Sequence, residues 1–339
     1  MRNYRGPIIH IGYHKTGTTW FQDIFYPAVR NRRYLPRAVA RAAFLETGAL
    51  HFEPDQARHR LGQDRDDIIL CEENLSGGLH NGGLAGNLSK DVAGRIRDTL
   101  PGAQIVIFVR DPCSAIASAY LQYVKGGGTF GIHRYLFGRD RLGPVAPERD
   151  EAPGFRREHF DYARLIAYYD RLFGADNVHV FRYEDFRADP RGFAAAYAAR
   201  FGLDVALDRL DWGTRNPSPG RLLLWAFRAA NLFTRRAVAD KDCLLHLPGW
   251  YGLSRKLLRR ANASGRFGRP LRMRDILDEG AIAHFNDYYR HGEAAIADRL
   301  EQQTCRDAKS RDGMAGPAPS YARSCRTATS SLPTMTQHC

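Results

Sequence analysis

Four short apolar runs recur along the chain, each followed by a polar or Gly-rich exit and then by residues with helical spacing. They begin at Ile8 and cover Asp67 to Cys71, Ile105 to Val109 and Val178 to Arg182. Runs of this length without polar alternation are buried on both faces, as the strands of a parallel sheet are. Between them, apolar residues at helical spacing predict helices over Lys90 to Leu100, from Pro112 past Ser118, and over Tyr162 to Phe173. The stretch from Asn31 to Asp64 is helical and loop-like without a clear period. Alternating strand and helix predicts an α/β fold, a central parallel β-sheet flanked by helices, with right-handed crossovers.

Beyond Phe193 the pattern is mostly helical, with apolar residues at helical spacing over Arg221 to Phe233 and Ile276 to Leu300. These helices are expected to pack onto the sheet, leaving at most a peripheral membrane contact. From Gln302 the sequence loses its period and becomes rich in Ser, Thr, Ala and Pro, the composition of a disordered tail. The expected organisation is one domain over residues 1–301 and a tail over 302–339.

The segment Ile8 to Trp20, IIHIGYHKTGTTW, is written as a phosphate cradle. An apolar strand delivers a loop to the sheet edge, Gly12 and Gly17 permit backbone angles closed to other residues, and the N–H groups of the following helix point at an anion. The spacing of the two glycines suits a nucleotide triphosphate loop, GxxxxGK[ST]. Thr18, however, stands where that motif needs lysine, and the lysine lies inside the loop as Lys15.

YHKTGTTW resembles the 5'-phosphosulfate loop of the sulfotransferases that use 3'-phosphoadenylyl sulfate (PAPS). Two further segments resemble that family in the same order. IVIFVRDPCSAIASAY places Arg110 after a strand and Ser118 eight residues on, and NVHVFRYEDFRAD gives a strand followed by Tyr183, Glu184 and Asp185. Asp111 can cap and Pro112 can open the intervening helix, so that a guanidinium and a hydroxyl approach one dianion from one side. The resemblance implies a P-loop-like three-layer sandwich and a PAPS cosubstrate released as 3',5'-bisphosphoadenosine, with no metal. In that comparison Lys15, Thr16, Gly17, Thr18 and Thr19 hold the 5'-phosphate side. Trp20 and Tyr183 match residues at the adenine, and Arg110 and Ser118 match the 3'-phosphate site. Trp20 reads equally well as a core aromatic at a helix start.

Sulfuryl transfer needs positive charge on the leaving oxygen and a base for the acceptor proton. The resemblance assigns the charge to Lys15. CEENLSG resembles the strand-end glutamate of carbohydrate sulfotransferases, which makes Glu73 the expected catalytic base and the acceptor a hydroxyl of a carbohydrate or glycoconjugate; Glu72, His80 and His133 are its rivals. No Arg-Lys-Gly tripeptide of the small-molecule branch occurs, and Arg215, Arg255 or Arg269 are open substitutes for its cation. The competing readings are a P-loop kinase or NTPase, which would need Mg²⁺ and a lysine after Gly17, and a non-catalytic nucleotide-binding module.

Composition is consistent with this picture. The 339 residues, 44% hydrophobic, can bury one sizeable core. Apolar runs fall far short of the roughly 20 residues that span a bilayer, and the first strand begins within eight residues, leaving no expected signal peptide. Six cysteines without metal-ligand spacing read as reduced thiols, so a cytoplasmic location is expected and the sequons at Asn74, Asn87 and Asn262 are irrelevant. The net charge of +13 suits an anionic nucleotide. Its basic residues are spread through the chain, which argues against a nucleic-acid groove reader. The loop over Lys125 to Arg156 reads as a substrate-side lid whose acceptor preference is not legible.

Overall fold

The apolar runs pair side by side in the computed structural model, which describes residues 6–62, 66–138, 154–213, 218–237, 241–265 and 267–312. Strands β1 (Ile8–His10), β2 (Arg33–Tyr34), β3 (Ile68–Cys71), β4 (Gln104–Val109) and β5 (Val178–Arg182) form one sheet in the order β2-β3-β1-β4-β5. Every pairing is parallel, with Ile8 opposite Ile69 on one side and Gln104 on the other. β1, β3 and β4 are buried throughout, which is why their sequences do not alternate. β2 is a two-residue edge inside the stretch read as helix and loop; Arg33 is exposed and Tyr34 half-buried, so no apolar run announces it.

Helices cover both faces and give three layers. On one face Ile9, Leu70, Ile105 and Ile107 pack with residues of the Arg37–Phe44, Asn87–Thr99, Pro112–Lys125 and Tyr162–Phe173 helices. On the other, Ile8, Ile69, Val106 and Phe108 meet an aromatic cluster of Phe21, Phe25, Tyr26, Phe186, Tyr197 and Phe201. Within it the buried His10 Nδ1 lies 2.9 Å from the Tyr26 hydroxyl, which lies 2.8 Å from that of Tyr197. Burial keeps His10 neutral, with its pKa lowered to about 3.

The chain visits β1, β2 and β3 on one side of the sheet and then crosses to β4 and β5. The order therefore reverses at β1, and the carboxyl ends of β1 and β4 form the edge at which α/β sheets take ligands. Asp111 caps the helix after β4 by accepting from Ser114 N at 2.7 Å, with Pro112 at its first position, as the sequence indicated.

The last helix runs over Glu279–Asp312 and so continues beyond Gln302, where loss of order was expected. Its anchors are polar and escape a hydrophobic pattern. Arg299 is paired with Asp170 at 2.9 Å, and Gln303 closes the edge of β5, accepting from Val180 N at 2.9 Å and donating to Val180 O at 3.0 Å. Residues 313–339 lie outside the described residues. Among the described residues no helix is long and apolar enough to cross a membrane, and Cys71, Cys113, Cys243 and Cys305 are free.

Gln303→Leu is expected to lower stability by about 1–3 kcal/mol, because it leaves a buried N–H and C=O unpaired. Urea denaturation should show a lower midpoint at unchanged slope. An unchanged midpoint would mean that this part of the helix does not hold the sheet edge.

Candidate active site

β1 ends at the centre of the sheet, and residues 11–17 turn over its carboxyl edge. Three of them have left-handed backbones: Gly12 at φ 54°, Lys15 at φ 70° and Gly17 at φ 86°. A Cβ on Gly12 would stand 2.6 Å from Thr18 Cγ2, and one on Gly17 would stand 3.2 Å from the Tyr183 ring. Lys15 has no such exemption, and a side chain in this region costs about 1–2 kcal/mol. The turn is tied from within by the buried Thr16, whose hydroxyl donates to Tyr13 O at 2.5 Å. Thr18 then opens a helical run to Ala28 that includes a π-helical turn over Phe21–Phe25. Thr19 is exposed and Thr18 buried.

Two other segments close on this loop. Arg110, at the end of β4, donates from Nη1 to Lys15 O at 3.0 Å, and its guanidinium lies 5.1 Å from the centre of the Tyr183 ring. Tyr183 begins the short helix after β5. Ser118 is half-buried two turns into the Pro112–Lys125 helix. Trp20 is 9% exposed, donates to Asp211 O at 3.0 Å and packs against Phe25, Phe186 and Trp212. It is a member of the aromatic core, in line with the plainer of its two readings.

The acidic side lies past β3. Glu72 is fully buried and bound by Arg37 through Nε at 2.9 Å and Nη2 at 3.1 Å, with Asn74 N donating at 3.0 Å. Burial opposes its ionisation, and the hydrogen bonds from Arg37 and Asn74 overcome that, holding its carboxyl below the ordinary range. Glu72 is thus fully engaged and closed to solvent. Glu73 keeps 19% of its side chain exposed and is oriented by Gln22 at 2.8 Å and Arg37 at 2.9 Å.

Sequence reasoning missed His14, Gln22, Arg37 and Lys125. His14 sits inside the loop motif, beside the lysine that drew attention. It donates from Nε2 to Gly77 O at 3.0 Å, which fixes its tautomer and leaves Nδ1 as the acceptor. Burial lowers its pKa, against the opposing pull of Glu73. Burial and then Arg110 depress Lys15, again opposed by Glu73. Lys125, at the end of its helix, is lowered to about 8 by burial and then by Lys15 and Arg259. Half-buried cations that disfavour one another's charge, beside a left-handed loop at the switch point, are an arrangement that an anion completes.

The remaining candidates are engaged elsewhere. His80 is buried with Nδ1 2.7 Å from the Tyr135 hydroxyl, and burial, then His14, lower its pKa to about 4. His133 is half exposed and lies 3.0 Å from the Asp278 carboxylate. Arg255 is buried over the Phe227 and Tyr251 rings, and Arg269 pairs with Asp275 at 2.9 Å. Arg215 and part of the expected lid, residues 139–153, lie outside the described residues.

Residues 89–207 match the family model described as "Sulfotransferase family". That segment contains Arg110, Ser118 and Tyr183, and the loop around Lys15 lies before it. Among solved structures, a sulfotransferase from Alicyclobacillus acidocaldarius is similar at 21% identity with a TM-score of 0.43, over 66% of this chain and 92% of that one. No curated protein matches.

Because the pair lowers the folded-state carboxyl of Glu72, its stabilisation is present above the ordinary value of 4.5 and is lost as pH falls below it. Arg37→Met should therefore destabilise the protein at neutral pH by about 1–3 kcal/mol, allowing for the partial exposure of Arg37. The deficit should shrink towards acid pH as Glu72 takes up a proton. Denaturation midpoints that differ by a constant amount from neutral to acid pH would contradict this account of the pair.

Proposed function

We propose that this chain, whose residues 89–207 match the sulfotransferase family model, transfers a sulfuryl group from PAPS to a hydroxyl of a carbohydrate or glycoconjugate, releasing 3',5'-bisphosphoadenosine. The observation that carries this reading is Arg110, which touches both the Lys15 carbonyl and the Tyr183 ring at the switch point. Segments distant in sequence thus meet where two anionic groups of one nucleotide would lie.

In this reading the backbone of Thr16 to Thr19 and the hydroxyls of Thr18 and Thr19 hold the 5'-phosphate. Arg110 and Ser118 hold the 3'-phosphate, and Tyr183 flanks the adenine with an edge of Trp20. The bound cosubstrate supplies a sulfuryl group activated as a phosphosulfate anhydride. Lys15 sets a positive charge where the departing phosphate oxygen gains negative charge. Glu73, oriented by Gln22 and Arg37, takes the proton of the acceptor hydroxyl. The chemistry uses no metal in this reading. It is set in the cytoplasm, in keeping with the four free cysteines of the described residues.

Calorimetric titration is expected to show metal-independent binding of 3',5'-bisphosphoadenosine and weak binding of ATP with Mg²⁺; the opposite ranking would favour a kinase. Arg110→Ala should weaken bisphosphate binding by about 10- to 100-fold through loss of a charge-assisted contact. Lys15→Ala should lower the transfer rate by about 10²- to 10³-fold with a smaller loss of binding. Equal tolerance of both changes would overturn the site.

Lys125, with its pKa near 8, loses its proton as pH rises past that value, and an anion bound nearby would restore it. Bisphosphate binding above pH 8 should then take up as much as about one proton, measured as a dependence of the calorimetric heat on buffer ionisation. Lys125→Met should abolish the uptake. Uptake that persists in the variant would place the titrating group elsewhere.

A further inference from the structure

The Arg221–Asn231 helix turns Leu223 and Phe227 into the core, as expected. Its Leu222 and Trp225, three residues apart on one face, are nevertheless 69% and 68% exposed. The Trp250–Ala263 helix shows the same division: Leu253 and Leu257, four residues apart, are each more than half exposed. So are Leu244 and Leu245 in the segment between the two helices.

These residues belong to one hydrogen-bonded unit. Leu244 N donates to Leu232 O at 2.9 Å, Leu247 N to Phe233 O at 3.1 Å and Trp250 Nε1 to Ala230 O at 2.8 Å. Arg255 lies over the Phe227 ring. Single exposed leucines are ordinary; five leucines and a tryptophan, each more than half exposed on two helices and the segment between them, are a concentration that calls for an explanation.

Charge selects what covers it. Residues 221–274 hold thirteen Lys and Arg against two acids, Asp240 and Asp242, whereas the whole chain holds 50 against 37. Most of the net charge of +13 is therefore concentrated in and around this unit, and Arg221, Lys256, Arg259 and Arg260 are exposed on its helices. Two copies of so cationic a face repel each other, which disfavours a homodimer through it. Leu and Trp beside Lys and Arg are instead the pairing that suits the boundary between acyl chains and anionic headgroups.

We propose that the unit formed by the Arg221–Asn231 and Trp250–Ala263 helices seats the protein on the surface of an anionic lipid bilayer. Trp225 and the leucines enter the headgroup boundary, and the arginines and lysines face the lipid charges. The docking is peripheral, and it stands independently of the reading of the cofactor site.

The test is co-flotation of the full chain with phosphatidylcholine vesicles made with and without phosphatidylserine. The wild type should float with the phosphatidylserine vesicles, release at high salt and show little affinity for the neutral ones. The double variant Trp225→Glu/Leu253→Glu should lose about tenfold or more of that affinity. Leu50→Glu, at a 98% exposed leucine outside the unit, should bind as the wild type does. Melting curves should coincide for all three, since the altered side chains are exposed. No flotation with phosphatidylserine vesicles would overturn the proposal. So would equal binding by the double variant, or a concentration-dependent dimer that the double variant abolishes in the absence of lipid binding.

Discussion

The reversal of strand order at β1 is the constraint on which the rest of the site depends. Because β1 lies between β3 and β4, the loop leaving β1, the turn leaving β3 and the residue that ends β4 all emerge at one edge of the sheet. Lys15, Glu73 and Arg110 come from segments far apart in sequence, and no local interaction would bring them together. The parallel register does so, and it is held by an apolar interior on both faces and by Gln303 at the open edge of β5. The grouping of these side chains at one edge is therefore a consequence of packing well below it.

Electrostatics at the edge are divided between two sides. Lys15, Arg110 and Lys125 crowd positive charge: burial and then Arg110 lower the proton affinity of Lys15, and burial and then Lys15 and Arg259 lower that of Lys125. Across from them Glu72 is neutralised by Arg37 and sealed from solvent, so that Glu73 is the carboxylate left partly open. The two glutamates thus differ in exposure: Glu72 is sealed within the turn, and Glu73 keeps part of its carboxylate open to solvent. His14, fixed by its bond to Gly77 O, links the lysine loop to the turn that carries Glu73. A two-sided arrangement of this kind suits a reaction in which an anion departs on one side and a proton leaves an acceptor on the other.

Much of the sheet was legible in the sequence because its strands are continuous apolar runs; β5 and the Tyr162–Phe173 helix begin and end where the pattern places them. β2 was not, since a two-residue edge with one exposed arginine leaves no pattern. The end of the last helix was misjudged for a related reason: Arg299 and Gln303 hold it by ion pairing and hydrogen bonds, to which hydrophobic periodicity is blind. At the site, loop and cap residues were readable from local backbone requirements, as with Gly12, Gly17 and Asp111. Arg37 and Lys125 were not, because their roles arise from neighbours brought close by the fold. The helices after Arg221 show the same limit in reverse. Their period correctly indicated a buried face but could not reveal that Leu222 and Trp225 would remain outside.

The central claim is that the Lys15 loop, the Arg110–Ser118 segment and Tyr183 form one nucleotide site. Hydrogen exchange of the full chain with and without 3',5'-bisphosphoadenosine tests it most directly, because it reports on each segment separately. The account predicts slowed exchange in peptides covering residues 12–19, 110–118 and the start of the helix at Tyr183, all with the same dependence on ligand concentration. Protection confined to one of the three, or located away from the carboxyl edge of the sheet, would contradict it.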